Sequence, residues 1–195
     1  HPIVVICAVA VGFSIGNKGY LGTGGTNPNF VKSFFEYDPA TNAWTQMADI
    51  VGPQAARTQA VGFSIGGLGF IATGVSISTS FPFVVTFSNT MLQFDPATNL
   101  WSQKPTFNGI QRRNAVGFSI GPKGYLGLGL FGQNELWEYD PSTTAWTQKA
   151  DFAGAERIDA VGFSIGNRGY VGTGRDVESD DFLNDFWEYD PAANT

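Results

Sequence analysis

Ala10-Val11-Gly12-Phe13-Ser14-Ile15-Gly16 returns without a change at residues 60–66, 115–121 and 160–166. The four copies start 50, 55 and 45 residues apart. A block that recurs every ~40–50 residues marks a repeat architecture, in which each copy is one supersecondary unit stacked on its neighbours. The fold therefore follows from reading one copy outward from this block.

Val-Gly-Phe-Ser-Ile is a short apolar run rich in β-formers, and a Gly-bounded turn follows it each time: Gly16-Asn17-Lys18-Gly19, Gly66-Gly67-Leu68-Gly69, Gly121-Pro122-Lys123-Gly124 and Gly166-Asn167-Arg168-Gly169. Gly reaches positive φ cheaply, so this is hairpin chemistry. The second run is Tyr20-Leu21-Gly22-Thr23-Gly24, with counterparts at 70–74, 125–129 and 170–174. A loop of variable length leads to a third run. It alternates apolar and polar residues and ends in an aromatic-Asp-Pro turn, as in Phe35-Glu36-Tyr37-Asp38-Pro39. Period two is strand-like, and Asp-Pro sets the turn by capping the backbone and fixing φ. The fourth run carries Trp44, Trp101 or Trp146, each before Thr or Ser and then Gln. Arg57, Arg112 and Arg157 stand four residues before the next Val-Gly-Phe. No window sustains a helical period. Four strands per repeat predict an all-β chain, a β-propeller with four visible four-stranded blades.

The order Arg, apolar strand, Tyr-x-Gly-Thr-Gly, Tyr-Asp-Pro, Trp resembles the kelch repeat, over Ala10 to Pro191. The blades then take residues of about 7–56, 57–111, 112–156 and 157–195 of one domain. The resemblance departs in places. The kelch double glycine is kept only as Gly24-Gly25, and Cys7 stands where the other copies have Arg. The fourth copy stops at Thr195, before its Trp strand. Kelch propellers usually have six or seven blades, and an unclosed propeller leaves bare strand edges. The expectation is that further chain or a second copy closes the ring. Pro2 to Ala8 are not expected to supply the missing strand, because few residues would have to cross ~14 Å. Nor does this apolar stretch read as a signal segment, since no charged region precedes it.

Composition narrows the function. Net charge is −6 and only 14% of residues are charged, with no Lys/Arg run. That speaks against a nucleic-acid surface and against docking on anionic membranes. Pro2 to Val11 is too short to insert across a bilayer. One Cys permits no internal disulfide. The one His is His1, so no Ser-His-Asp or Cys-His arrangement can be assembled. The copper site of galactose oxidase-like relatives of kelch proteins needs two His and a crosslinked Tyr, and this chain lacks them. No cofactor is expected.

The variable loops share one face with the links between blades. From the second-run Gly to the aromatic of the third run takes 13, 20, 10 and 15 residues. Length variation confined to one face is how repeat proteins build a binding surface. The longest loop carries Phe81, Phe83 and Phe87 with no charge, which points to a partner or subunit contact. The fourth loop, with Asp176, Glu178 and Asp180, has the oxygen ligands of a Ca²⁺ site but no EF-hand spacing, so a solvated acidic loop is expected there and no metal. Arg57, Arg112 and Arg157 lie at the starts of the inner strands. They would either clamp an anionic sugar or acidic peptide or, as the kelch resemblance implies, tie blades together. Arg113 has no counterpart in the other copies and is a freer ligand candidate.

The expected function is non-catalytic recognition of a protein or glycan through the variable-loop face. An enzyme is the less favoured reading. It would be a sugar-isomerising or other carbohydrate-active propeller with an Arg/carboxylate site in the channel. A third reading is a structural subunit of a larger assembly. Similarity to long kelch-like arrays of secreted bacterial proteins implies an extracellular or cell-surface location.

Overall fold

A computed structural model describes residues 9–26, 29–78 and 81–195. Cys7 and the segment Pro2 to Ala8 lie outside the described residues. The described chain is all-β. In chain order its strands are β1 (Val11–Ile15), β2 (Lys18–Gly22), β3 (Gly25–Thr26), β4 (Asn29–Phe30), β5 (Phe34–Asp38) and β6 (Ala43–Gln46) in the first repeat. The second repeat holds β7 (Val61–Ile65), β8 (Leu68–Ala72), β9 (Val75–Ile77), β10 (Val85–Phe87), β11 (Met91–Asp95) and β12 (Leu100–Lys104). The third has β13 (Val116–Ile120), β14 (Lys123–Gly127), β15 (Leu136–Asp140) and β16 (Ala145–Gln148). The fourth has β17 (Arg157–Ile158), β18 (Val161–Ile165), β19 (Arg168–Gly172), β20 (Arg175–Asp176) and β21 (Phe186–Tyr189).

Each repeat folds into one antiparallel sheet, and the sheets follow one another as propeller blades. Three blades have four strands, ordered β1-β2-β5-β6, β7-β8-β11-β12 and β13-β14-β15-β16. The fourth described blade has three, β18-β19-β21. The Asp of each aromatic-Asp-Pro turn caps it as the sequence predicts: Asp38, Asp95, Asp140 and Asp190 each accept, at 2.8–2.9 Å, the N–H two residues on.

Blades pack face to face by a fixed rule. The Val, Phe and Ile of one inner strand lie on the glycines of the next blade. Phe13 covers Gly62 and Gly69, Phe63 covers Gly117 and Gly124, and Phe118 covers Gly162 and Gly169. Only a bare backbone lets the next sheet approach this closely. β1 thus packs on β7, β7 on β13 and β13 on β18, whereas β1 and β18 make no comparable contact among the described residues. Among the described residues nothing therefore covers either end of the arc. Phe118 in the interior is 4% exposed and its counterpart Phe163 in the last blade is 41% exposed.

The links between blades are tied by the arginines. Arg57, Arg112 and Arg157 are completely buried. Their carbonyls accept from Gly24, Gly74 and Gly129 of the preceding blade at 2.8–3.0 Å. Their guanidiniums turn into their own blades and donate to the carbonyls of Thr73, Leu128 and Thr173. These three residues, and Thr23, sit at φ of 58–60°. Threonine and leucine adopt this left-handed conformation at a cost, and here it aims the carbonyl at the guanidinium.

Candidate functional site

The loops after the second strands and the links before the inner strands lie together on one face. Isolated bridges Thr58↔Val75 and Arg113↔Leu130 and the small β17–β20 pair join them. On this face the longest loop folds as a hairpin, with β9 and β10 paired in the register Ile77↔Val85 and Val75↔Phe87. Ser78 clamps its tip: the Ser78 hydroxyl donates to the Pro82 carbonyl at 3.1 Å and accepts the Val84 N–H at 2.9 Å. The tip holds its aromatic rings outward. Phe81 is 88% and Phe83 61% exposed, their rings edge to face with centroids 6.4 Å apart.

Phe87 behaves differently from the other two. It is half-buried, packing edge to face on Phe131 of the next blade's loop at 5.2 Å. The Arg113 guanidinium lies 5.9 Å from the centre of the Phe87 ring, a cation–π distance, and also donates to Gln59 Oε1 at 3.0 Å. Phe87 and Arg113 thus brace the base of the hairpin, and Phe131 continues the exposed aromatic surface into the third blade. In the fourth blade Phe182 is more exposed still. It borders a cleft of about 300 Å³ with Asp159, Thr173, Gly174, Arg175 and Leu183.

Between these aromatics runs a polar row that sequence reasoning missed. Gln59, Asn114 and Asp159 hold one place in successive repeats, two residues after the buried Arg, and all lie at φ of 54–57°. The Asn114 N–H donates to the Gln59 carbonyl at 3.0 Å, and the Asn114 amide donates to the Asp159 carboxylate. The signal was present, because that place is polar in each of these copies and Asn and Asp tolerate the left-handed region.

The buried arginines offer this face nothing. Arg57 is spent on the carbonyls of Pro53, Gln54, Thr73 and Thr90 and the hydroxyls of Ser88 and Thr90. Burial pulls its pKa down to about 10, so it stays cationic at neutral pH. Arg112 is paired with Glu135, and burial is the main reason its pKa too is lowered. Arg157 forms a two-pronged pair with Asp185 at 2.5 and 2.7 Å. Those bonds hold the Asp185 carboxyl down to about 2. The third place in the set is Thr90 in the second blade, which leaves Arg57 as a buried cation with no carboxylate partner. Phe107 and Phe152 stack on Arg112 and Arg157 at 4.9 and 4.8 Å.

The carboxylates of the acidic loop do not converge. Asp176 accepts the backbone N–H groups of Glu178 and Ser179 at 2.8 and 2.9 Å, bonds that lower its pKa, and Asp180 pairs with Arg175. Among the described residues no three His, Cys, Asp or Glu stand close enough to hold a metal ion. No helix among them is long and apolar enough to cross a membrane.

A second polar set repeats on the blades. Glu36, Glu138 and Glu188 accept from Tyr20, Tyr125 and Tyr170 at 2.5, 2.7 and 2.8 Å, and from Lys18, Lys123 and Arg168. Burial and the facing Glu138 push the Tyr125 hydroxyl up. In the second blade Leu68, Phe70 and Gln93 replace all three members together, as expected of a set that serves packing.

Comparison with protein-family descriptions gives no match, and neither does comparison with curated protein sequences. Solved structures do match. The structure of YjhT superposes with a TM-score of 0.75 over 96% of this chain, at 16% sequence identity. The chain spans 66% of the length of YjhT. At that identity the likeness is one of fold, and the fold is that of a β-propeller.

Proposed function

We propose that this chain is a non-catalytic recognition module of the kelch-repeat type, taking a protein or glycan ligand on its loop face. The observation that carries the reading is the hairpin tip, where Phe81 stands almost free of the protein and most of Phe83 is exposed. A soluble surface carries such a patch at a cost in solubility and mostly where something docks on it. Asn114 and Asp159 supply directional polar groups elsewhere on the same face, the usual division of labour between an apolar anchor and a polar rim. An extracellular or cell-surface setting goes with this reading. Its support is the resemblance to kelch-like arrays of secreted bacterial proteins, together with the low charge.

The test is to screen the chain and its F81S/F83S variant side by side on a glycan array and a displayed-peptide library. A ligand held by the wild type and lost by the variant, at an unchanged thermal midpoint, is the expected result. Equal retention by both would remove the hairpin from the site, and a variant that unfolds would make the loop part of the core.

One observation favours a second role, in assembly. Val161, Phe163 and Ile165 are exposed on the last blade, and among the described residues the Gly12 and Gly19 face of the first has no blade over it. These are the two halves of the interface used three times inside the chain. Two copies could therefore join end to end as blades do.

A further inference from the structure

β10 pairs on one side only, with β9. The Ser78 N–H donates to the Val84 carbonyl at 3.0 Å, and the Ser88 N–H donates to the Gly74 carbonyl at 2.8 Å. Those two bonds fix the phase of the ladder: Val84, Thr86 and Ser88 turn their main-chain groups toward β9. Along an antiparallel strand the direction alternates from residue to residue, so the N–H and C=O groups of Val85 and Phe87 turn outward. Among the described residues no group bonds to them.

Proteins blunt an unpaired edge with charge, proline or brevity, and the matching pieces of the other loops are blunted. In the first blade β4 is two residues long. In the third only the bridge Arg113↔Leu130 is formed, and in the fourth Phe182 makes a single bridge beside Asp180 and Asp181. β10 is longer, contains no proline, and lies in a stretch, residues 75–90, without one charged residue. Val85 is 55% exposed. What this strand accepts is visible on its paired side. β9 sets Val75 opposite Phe87, Ser76 opposite Thr86 and Ile77 opposite Val85. Cross-strand neighbours share a face of the sheet, so a strand laid along the outer edge meets the same alternation: apolar beside Val85 and Phe87, a small hydroxyl beside Thr86.

We propose that the outer edge of β10 is a strand-addition site for an extended, uncharged segment of a partner protein, with the pattern apolar, Ser or Thr, apolar. The inference rests on the recognition role proposed above and narrows its ligand to a polypeptide, because the outward donors and acceptors stand at a spacing that a peptide backbone repeats and a glycan does not. The segment runs antiparallel to β10. Its two apolar residues lie opposite Val85 and Phe87, exchange a pair of main-chain hydrogen bonds with each, and cover the exposed Val85 side chain. Main-chain bonds hold the strand and the alternation of side chains selects it. A charge at either apolar place would leave water with no counter-ion beside it.

The experiment is residue-resolved amide hydrogen exchange of the 195-residue chain, by NMR, with the end-blocked peptide Thr-Gly-Val-Ser-Ile-Ser, the sequence of residues 73–78 that already pairs with β10. At saturation, exchange at Val85 and Phe87 should slow more than about tenfold, and that at Thr86, already bonded to β9, by a smaller factor. Methylating the peptide nitrogens of Val and Ile removes the donors to β10 and should abolish the effect. Methylating the nitrogen of the Ser between them, which points away, should not. V85P removes an outward N–H and no bond of the hairpin, and should abolish protection at Phe87. Because proline here can also disturb the strand, the methylated peptides keep the test independent of the protein's fold. No slowing, or equal slowing with the peptide methylated at Val and Ile, overturns the proposal. So does protection of Val85 and Phe87 without peptide that grows with protein concentration, which would assign the edge to a second copy. Library ligands lost by F81S/F83S and kept by V85P would leave the recognition role standing and overturn the edge as its means. Peptide-dependent protection, with no library ligand lost by F81S/F83S, would support the edge and remove the tip.

Discussion

Val61 of the second blade lies directly over Gly117 of the third: a methyl group placed on Gly117 would stand 2.5 Å from Val61 Cγ2. Gly117 is an ordinary strand residue in φ, so space alone demands glycine here. G117A should therefore overpack the blade interface and cost about 1–3 kcal/mol. Gly12 is the counterpart in the first blade, and a methyl group there meets only ordinary contacts at 3.7 Å or more. G12A should be neutral to within about 0.5 kcal/mol. Urea unfolding of the pair checks both. Equal effects would mean that the sheets do not pack in this way.

Arg57 has no carboxylate partner and is held by backbone carbonyls and two hydroxyls from three separate segments. A lysine keeps the charge but cannot reach that spread of acceptors. R57K is expected to cost about 2–4 kcal/mol, the scale of several buried acceptors left unmet. A denaturant midpoint unchanged from wild type would show that the fork is not structural.

The Arg157–Asp185 pair sets an acid limit. The folded pKa of Asp185 is depressed to about 2 from the ordinary value of 3.8. Its contribution to stability is therefore complete above the ordinary value and is lost as pH falls through about 2. D185N should destabilise at neutral pH by about 1–3 kcal/mol, after allowance for the partial exposure of the carboxylate. The difference from wild type should shrink below pH 4 and vanish only below pH 2. A difference constant from pH 7 to pH 2 would contradict the pairing.

Phe83 and Phe87 belong to one loop but do different things. F83S removes an exposed ring and should leave stability within about 0.5 kcal/mol of wild type. F87S removes the ring that packs on Phe131 and under Arg113, and should cost about 1–2 kcal/mol. Thermal melts of the two single variants separate the roles. If both prove silent, the hairpin is not braced at its base.

End-to-end association predicts a native mass of about twice the 20.9 kDa of one chain, or a larger series, in sedimentation equilibrium. F163K places a charge on the open face of the last blade and should return the protein to monomer without unfolding it. A monomeric wild type at high concentration would remove this reading.

Much of this architecture was legible in the sequence. The invariant block located the inner strands. The Asp-Pro turns located the third and fourth, and the phase of Arg57, Arg112 and Arg157 placed them between blades. What could not be read was the direction of the guanidiniums. Arg57 reaches carbonyls 16 and 33 residues further along the chain, and a linear pattern does not reveal that those carbonyls converge. Phe81, Phe83 and Phe87 looked alike for the same reason: only the fold brings Phe131 beside the last of them. The Glu–Tyr–Lys sets were within reach. Lys18 and Glu36 recur as Lys123 and Glu138, and both are lost together as Leu68 and Gln93. Reading the repeats against one another for joint loss, and not one at a time, exposes them.

The interface between blades is made by the invariant block and the glycine three residues beyond it, which recur together in every copy, with side chains on one face and bare backbone on the other. Any copy of the block consequently fits any other. Unequal crossing-over between two of the identical stretches would delete or duplicate a whole unit and leave every remaining junction matched. The gene for such a chain can change its number of units in single steps, while the variable loops diverge independently on a scaffold whose length is itself heritable variation.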